Sequence, residues 1–128
     1  REGTPRAAGG LCAVPRDIAR VGRIVAAGGG GVVPDWFVQD LIHNGNVQTW
    51  SRGDFVESYP QGRYRSYWYD TGIDDDVRCG IGIHGQLLYV DLARDLVIVV
   101  LSSWSDPDPS TGHDDNQRMA RAIAHALS

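Results

Sequence analysis

The stretch that most constrains the fold of this chain runs from residue 79 to residue 103. Three segments within or beside it are typical of β-strands, namely residues 78–83, 86–92 and 95–102. Because the turns between them are very short, neighbouring strands should pair, which predicts an antiparallel three-stranded meander. The third segment is rich in β-branched residues without polar alternation. It is therefore expected to be buried on both faces, with helices covering the sheet.

Glycine recurs in and just after the first of these strands, as Gly80, Gly82 and Gly85. A glycine inside a strand often marks a bulge or a close approach of the backbone to another group. One interpretation is therefore a ligand that lies against this strand edge. The other is that the missing side chains make room for a neighbouring helix or a sharp hairpin. The pattern alone favours neither interpretation.

Two helices are predicted before the meander. Pro15 suits the first position of a helix that ends at the glycine run 28–31. Its apolar stripe is predicted to consist of Ile18, Val21, Ile24 and Val25. A second helix begins at residues 33–35 and ends at 44–45. Residues 45–62 have the composition of a loop.

An aromatic strand is predicted at residues 64–71, and a last helix is predicted to begin at Asp114 or Asp115. Met119, Ile123 and Leu127 recur at spacing four in that helix and should face the sheet, with two alanines beside them. Helices combined with an antiparallel sheet indicate an α+β fold, in which the helices pack on the sheet. The length of 128 residues suits one domain, residues 1–128.

Composition argues against several classes of function. The net charge of −4 argues against a nucleic-acid surface, and no apolar run approaches the ~20 residues needed to span a bilayer. No signal peptide is recognised, which favours a cytoplasmic location. Cys12 and Cys79 are expected to be small buried hydrophobes, and the acidic run 74–76 a solvated turn. Neither a metal nor a cofactor is expected.

Two motifs resemble those of a known family, the serine β-lactamase-related hydrolases. Residues 9–20, Gly-Gly-Leu-Cys-Ala-Val-Pro-Arg-Asp-Ile-Ala-Arg, are similar to a segment that lies mid-chain in that family. Residues 80–86, Gly-Ile-Gly-Ile-His-Gly-Gln, are similar to its third motif. Together with Leu-Ser-Ser-Trp-Ser-Asp-Pro-Asp at 101–108, they most resemble the 6-aminohexanoate-dimer (nylon-oligomer) hydrolases within it.

The resemblance implies that this chain is the C-terminal portion of such a hydrolase. The family's first motif, Ser-x-x-Lys, supplies the nucleophile and its base partner. All twelve cationic side chains here are arginine, so no serine can be followed by the required lysine. No tyrosine is followed by x-Asn, the family's second motif. The partner implied is therefore an N-terminal part that carries Ser-x-x-Lys, and this chain alone is expected to be inactive.

The third motif is present in position but altered. Lys-Thr-Gly or His-Thr-Gly of the family corresponds to Gly-Ile-Gly at residues 80–82. The missing cation disfavours β-lactam and peptidoglycan substrates and favours small amides or esters. By the same resemblance, the backbone N–H of Ile83 is one of two oxyanion-hole donors, and Gly82 leaves that strand edge open to the substrate.

Further substrate-binding residues are carried over from the resemblance. Asp108 stands where the nylon-oligomer hydrolases place an acidic residue near the substrate amine, although an aspartate before proline is also common in turns. Tyr69 and Trp104 are candidates for the pocket wall, and either could equally be core packing. His84 adjoins the oxyanion position, where its simplest role is to orient the turn, since the family's base lies in the absent part.

Two hypotheses about function follow. In the first, the chain is the C-terminal part of a serine hydrolase that cleaves small amides or esters through an acyl-enzyme. In the second, it is a non-catalytic binding or scaffold module that keeps the fold without the chemistry. An upstream Ser-x-x-Lys segment in the complete protein distinguishes the first from the second.

Overall fold

The computed structural model describes residues 11–109 and 112–127. Its helices and strands, in chain order, are α1 (Pro15–Ala26), α2 (Asp35–His43), α3 (Val47–Trp50), β1 (Arg63–Arg65), β2 (Trp68–Asp70), β3 (Val77–Gly82), β4 (Gln86–Asp91), β5 (Leu96–Val100) and α4 (Gly112–Ala126). One 3-10 turn, Ile83–Gly85, joins β3 to β4. The five strands form one antiparallel sheet in chain order. The predicted α+β class is confirmed, and so is the predicted meander, which is β3, β4 and β5.

Helix α1 begins as predicted, with Pro15 at its first position and no side-chain cap from Val14. Its buried face is centred on Gly22 and Val25, whereas Val21 of the predicted stripe is 42% exposed. A Cβ atom at Gly22 would lie 2.7 Å from Val97 Cγ1. The absence of a side chain at Gly22 therefore lets the helix backbone approach the sheet closely, and this approach sets which face is buried.

Two helices cover the sheet on opposite faces. Alternate residues of a strand point to opposite sides, and α1 meets Leu88 and Val90 of β4 through Gly22. On the other face, Leu87 and Tyr89 of β4 form a buried cluster with small residues of α4. The prediction that helices cover the sheet is therefore confirmed.

The prediction that β5 is buried on both faces is wrong for the described residues. All five residues of Leu96–Val100 are only partly buried. The physical reason is the position of β5, which pairs with β4 on one side and forms an edge of the sheet within the described part of the chain.

The predicted orientation of the last helix is also wrong. Met119, Ile123 and Leu127 are 42%, 38% and 70% exposed, whereas Ala120 and Ala124 are 0% and 2% exposed. The large side chains already on this face of the sheet leave room only for small residues of the helix. The helix begins at Gly112 rather than at Asp114 or Asp115, both of which lie in its first turn.

Two local predictions before the meander need correction. The aromatic segment is a hairpin of two strands rather than one strand, because Ser66 and Tyr67 adopt positive φ values of 50° and 70° and turn the chain back. The segment expected to be loop contains the single-turn helix α3. Asn46 stabilises that turn, because its side chain accepts a hydrogen bond from the N–H of Thr49.

A buried arginine connects β3 to its surroundings. Arg78 is 2% exposed, and its guanidinium donates to the carbonyl oxygens of Ile42, Asp75 and Val77. It also lies 3.4 Å from the carboxylate of Asp70. Burial lowers the pKa of Arg78, and the charge of Asp70 opposes that effect. These contacts join the end of α2 and strand β2 to the strand that leads into the 3-10 turn.

The two cysteines differ in environment, so the prediction that both are buried is wrong for Cys12, which is exposed. Cys79 is fully buried, and burial raises the pKa of its thiol to about 12. Both are free thiols. None of the helices in the described ranges has the length and apolar character needed to cross a bilayer.

This difference predicts selective thiol labelling. Since the thiolate is the reactive species, Ellman's reagent should, of the two cysteines in residues 1–128, modify Cys12 in the native state and Cys79 only after denaturation. A Cys12→Ser variant should show almost no reaction in the native state. Rapid reaction of both thiols in the native protein would contradict the burial of Cys79.

Candidate functional site

Ile83 lies just beyond the end of the sheet ladder. The last register pair between β3 and β4 is Gly82 with Gln86, so the N–H of Ile83 is outside that pairing. Strand β2 meets β3 through one pair, Tyr69 with Cys79. Beyond Cys79, the edge of β3 that faces β2 therefore has no partner strand among the described residues. The side chain of Ile83 is 64% exposed.

His84 joins this turn to the loop that follows β5, residues 101–109. Its N–H donates to the carbonyl of Pro107 at 2.8 Å, and its own carbonyl accepts from the N–H of Trp104 at 3.3 Å. Its ring Nδ1 lies 2.8 Å from the carbonyl of Trp104, and it must donate because a carbonyl only accepts. The His84 side chain thus contacts the backbone of the loop.

The same hydrogen bonds bring two predicted site residues together. The N–H of His84 belongs to the peptide group that follows Ile83, and the carbonyl of Pro107 belongs to the peptide group that precedes Asp108. Because these two peptide groups are bonded at 2.8 Å, Ile83 and Asp108 are neighbours in space although 25 positions separate them in sequence.

The glycines of this region have different roles. Gly85 has a φ of 81°, and a Cβ there would lie 2.4 Å from Trp104 Cε2, so this glycine makes room for a neighbouring ring. At Gly80 an added Cβ would meet only Leu88 Cβ, at 3.5 Å. The absence of a side chain at Gly85 is therefore explained by the neighbouring ring. At Gly80 no neighbour requires the glycine, so the interpretation of a ligand that lies against the strand edge still stands there. An added Cβ at Gly82 would lie 3.1 Å from Gln86 Cβ.

Two amides support the turn and were not identified from the sequence. Gln86 Nε2 donates to the carbonyl of Ser102 at 2.6 Å, and Asn116 Nδ2 donates to the carbonyl of Gly85 at 3.1 Å. Asn116 is a buried polar residue of α4. Its amide satisfies a turn carbonyl, so the turn is connected both to the 101–109 loop and to the last helix.

Asp108 is held at both its backbone and its side chain. Its N–H donates to Asp106 Oδ1 at 3.0 Å, which forms a local turn. Its carboxylate Oδ1 lies 3.0 Å from Nε2 of His113, in the first turn of α4. The Asp108 side chain is 63% exposed, whereas the His113 side chain is 10% exposed. The sequence did not reveal this pairing.

Of the remaining predicted residues, Trp104 lies against the same histidine, and Tyr69 is connected to it through Phe55. The rings of Trp104 and Phe55 are 5.5 and 5.9 Å from the His113 ring, between centroids. Phe55 in turn contacts Tyr69 at 5.7 Å. Burial is the main cause that raises the pKa of Tyr69, followed by the charges of Tyr64 and Asp108. Tyr69 and Trp104 are therefore both near Asp108.

The described surface has two concavities that adjoin this region without including its central residues. One, of about 480 Å³, is lined by Trp50 and Tyr64, and the other, of about 220 Å³, by Tyr59 and Gln117, among others. Ile83 and Asp108 line neither of them. Within residues 11–109 and 112–127, no cluster of acidic, histidine or cysteine side chains is suited to a metal ion.

Comparison with known proteins agrees with this architecture. The model of the family described as Beta-lactamase matches residues 1–123. The chain belongs to the β-lactamase family. Within that family, it is 38% identical over 123 residues to the 6-aminohexanoate-dimer hydrolase of Paenarthrobacter ureafaciens. The match covers 93% of this chain but only 31% of the relative. The chain therefore corresponds to a fragment of the relative's length. The resemblance inferred from the motifs is confirmed.

Proposed function

We propose that this chain is part of a serine hydrolase that cleaves small amides or esters through an acyl-enzyme. The observation that carries the proposal is the hydrogen bond between the N–H of His84 and the carbonyl of Pro107. This bond joins the peptide group that follows Ile83 to the one that precedes Asp108. The N–H of Ile83 lies outside the pairing of β3 with β4, and the carboxylate of Asp108 is exposed. We assign the first as an oxyanion donor and the second as a cation acceptor.

The proposed role of Ile83 is to donate its backbone N–H to the developing oxyanion. Ile83 follows the last residue pair between β3 and β4 and lies on a short turn. Three hydrogen bonds connect this turn to the 101–109 loop and hold it in place. A donor fixed before the reaction requires no reorganisation as charge develops on the acyl oxygen. The second donor would be the N–H of the nucleophilic serine, on the segment that carries Ser-x-x-Lys.

The proposed role of Asp108 is to bind a substrate ammonium group. The carboxylate is 63% exposed and fixed in position, which suits a charge-assisted hydrogen bond to an incoming amine. The relative is named for the 6-aminohexanoate dimer, a compound that has a terminal amine. Tyr69 and Trp104 are proposed to form the adjoining wall, and Gly82 to admit the substrate at the strand edge.

The proposed partner of these residues is the part of the same hydrolase that carries the nucleophile. Two apolar surfaces support this proposal. Strand β5 presents a half-buried edge of aliphatic residues, and α4 exposes Met119, Ile123 and Leu127 in one row. An unpaired apolar edge readily accepts another strand, and an exposed apolar row is suited to packing against another element.

A nitrophenyl-ester assay tests the proposal. The complete protein should release nitrophenol with an initial burst, because the acyl-enzyme accumulates, whereas residues 1–128 alone should give no release above buffer. A burst from residues 1–128 alone would contradict the proposed division of the site. A complete protein that contains Ser-x-x-Lys but turns over neither esters nor amides would instead favour the scaffold alternative.

A further inference from the structure

The pairing of His113 with Asp108 joins a nearly buried ring to an exposed carboxylate. Nε2 of His113 lies 3.0 Å from Oδ1 of Asp108, and the two side chains are 10% and 63% exposed. An exposed aspartate without such a partner would sample several rotamers. The arrangement therefore restricts a surface carboxylate by means of a group that solvent hardly reaches.

The histidine ring is itself held in one orientation. Trp104 packs against it with the ring planes tilted by 58°, and Phe55 meets it edge-on at 79°. These two rings come from different segments, the 101–109 loop and the segment that follows α3. A ring fixed between them points Nε2 in one direction.

The backbone of Asp108 is fixed independently of the histidine. Its N–H donates to Asp106 Oδ1 at 3.0 Å, and the preceding carbonyl, of Pro107, accepts from His84 at 2.8 Å. The 3.0 Å contact with Nε2 of His113 is made by Oδ1 of the carboxylate. Among the described residues, no hydrogen bond to Oδ2 is found, so that oxygen remains available to a ligand.

We propose that His113 is a positioning residue that holds Oδ1 of Asp108, so that Oδ2 faces the ammonium group of an amine-bearing substrate. This inference rests on the proposed function, which assigns an amine ligand to Asp108. His113 touches neither the reacting acyl group nor the ammonium. It acts through the orientation of the carboxylate, and its effect is therefore specific to substrates with a cationic end.

Two substitutions separate this role from simple packing. His113→Phe keeps an aromatic ring between Trp104 and Phe55 but removes the ring nitrogen that contacts Asp108. His113→Gln keeps an N–H donor at the end of the side chain. His125→Phe is the matched control, since it makes the same change at an exposed position of α4.

The kinetic test compares two substrates in the complete protein, one with a terminal ammonium and one with a neutral end of the same length. For His113→Phe, the KM of the ammonium substrate should rise about tenfold, the lower range for a charge-assisted hydrogen bond at an exposed site. Its kcat and the KM of the neutral substrate should change less than about twofold. His113→Gln should recover most of the loss, and His125→Phe should match the wild type.

Long-range 15N NMR of the histidine side chains gives a second measurement that does not depend on turnover. Asp108→Asn should shift the Nε2 resonance of His113 and leave that of His125 in place. An unchanged His113 resonance would overturn the inference without affecting the proposed hydrolase. Equal increases of both KM values in His113→Phe, without recovery in His113→Gln, would also overturn it. Absence of turnover with both substrates would overturn the proposed function itself, and the inference with it.

Discussion

Replacing Ile83 by proline should lower the kcat of the complete protein by two to three orders of magnitude. Proline has no backbone N–H, so the substitution removes the proposed oxyanion donor. Loss of one such donor costs about 3–4 kcal/mol of transition-state stabilisation. The backbone suits the change, since Gly82 before it is extended at φ −130° and ψ 156°, as a residue before proline must be. Steady-state ester hydrolysis measures the effect.

Ile83→Val is the matched control for the proline variant. It shortens a side chain that is 64% exposed but keeps the N–H, so kcat should remain within about threefold of the wild type, since surface changes of this kind have small effects. Circular dichroism should show that the proline variant is folded. A folded Ile83→Pro enzyme with wild-type kcat would show that this N–H is not an oxyanion donor.

Replacing Asp70 by alanine should lower the free energy of unfolding more than any other proposed substitution. Asp70 is 5% exposed, and its carboxylate accepts from the guanidinium of Arg63 and from the N–H of Gly72. It also faces the buried Arg78. Removal leaves a buried positive charge without its carboxylate partner, which costs about 3 kcal/mol, the lower range for such changes because Arg78 keeps its bonds to carbonyl oxygens. Denaturant unfolding of the complete protein measures the loss.

Asp40→Ala provides the comparison for this prediction. Asp40 also binds an arginine with two hydrogen bonds, of 2.6 and 2.8 Å to Arg65, but that arginine is 49% exposed. Because water screens exposed ion pairs, the loss of stability should be much smaller than for Asp70→Ala. Equal losses in the two variants would show that burial does not determine the contribution of Asp70.

The meander could be predicted from sequence because its information is local. Three apolar segments separated by very short turns have few ways to pair, and the structure places the strands within one or two residues of the predicted limits. The start of α1 was equally predictable, since Pro15 suits a first helical turn. In both cases, the residues that determine the structure lie within a few positions of it.

The orientation of α4 could not be predicted in this way. Met119 with Ile123 and Ala120 with Ala124 both recur at spacing four, so periodicity offers two adjacent stripes. Hydrophobicity favours the larger residues, but the packing distance between helix and sheet decides the outcome. That distance depends on side chains far away in sequence, such as Tyr89, and it favours the alanines.

The hairpin turn at Ser66 and Tyr67 was missed for a related reason. Neither residue type is typical of positive φ, and the strand pairing on both sides imposes that conformation. In the candidate site, motif resemblance located Ile83 and Asp108 but could not show that they are adjacent. Their adjacency depends on a hydrogen bond between two loops, and the pairing of Asp108 with His113 depends on the same long-range packing.

The most direct test of the oxyanion role is a crystal structure of the complete protein with a phosphonate or boronate that mimics the tetrahedral intermediate. The quantity to measure is the distance from the backbone nitrogen of Ile83 to the nearest oxygen of the bound group. We expect about 2.7–3.1 Å, the range of an oxyanion-hole hydrogen bond. An analogue bound covalently to a serine, with its oxygens out of hydrogen-bonding reach of the Ile83 nitrogen, would contradict the proposed role of this strand edge.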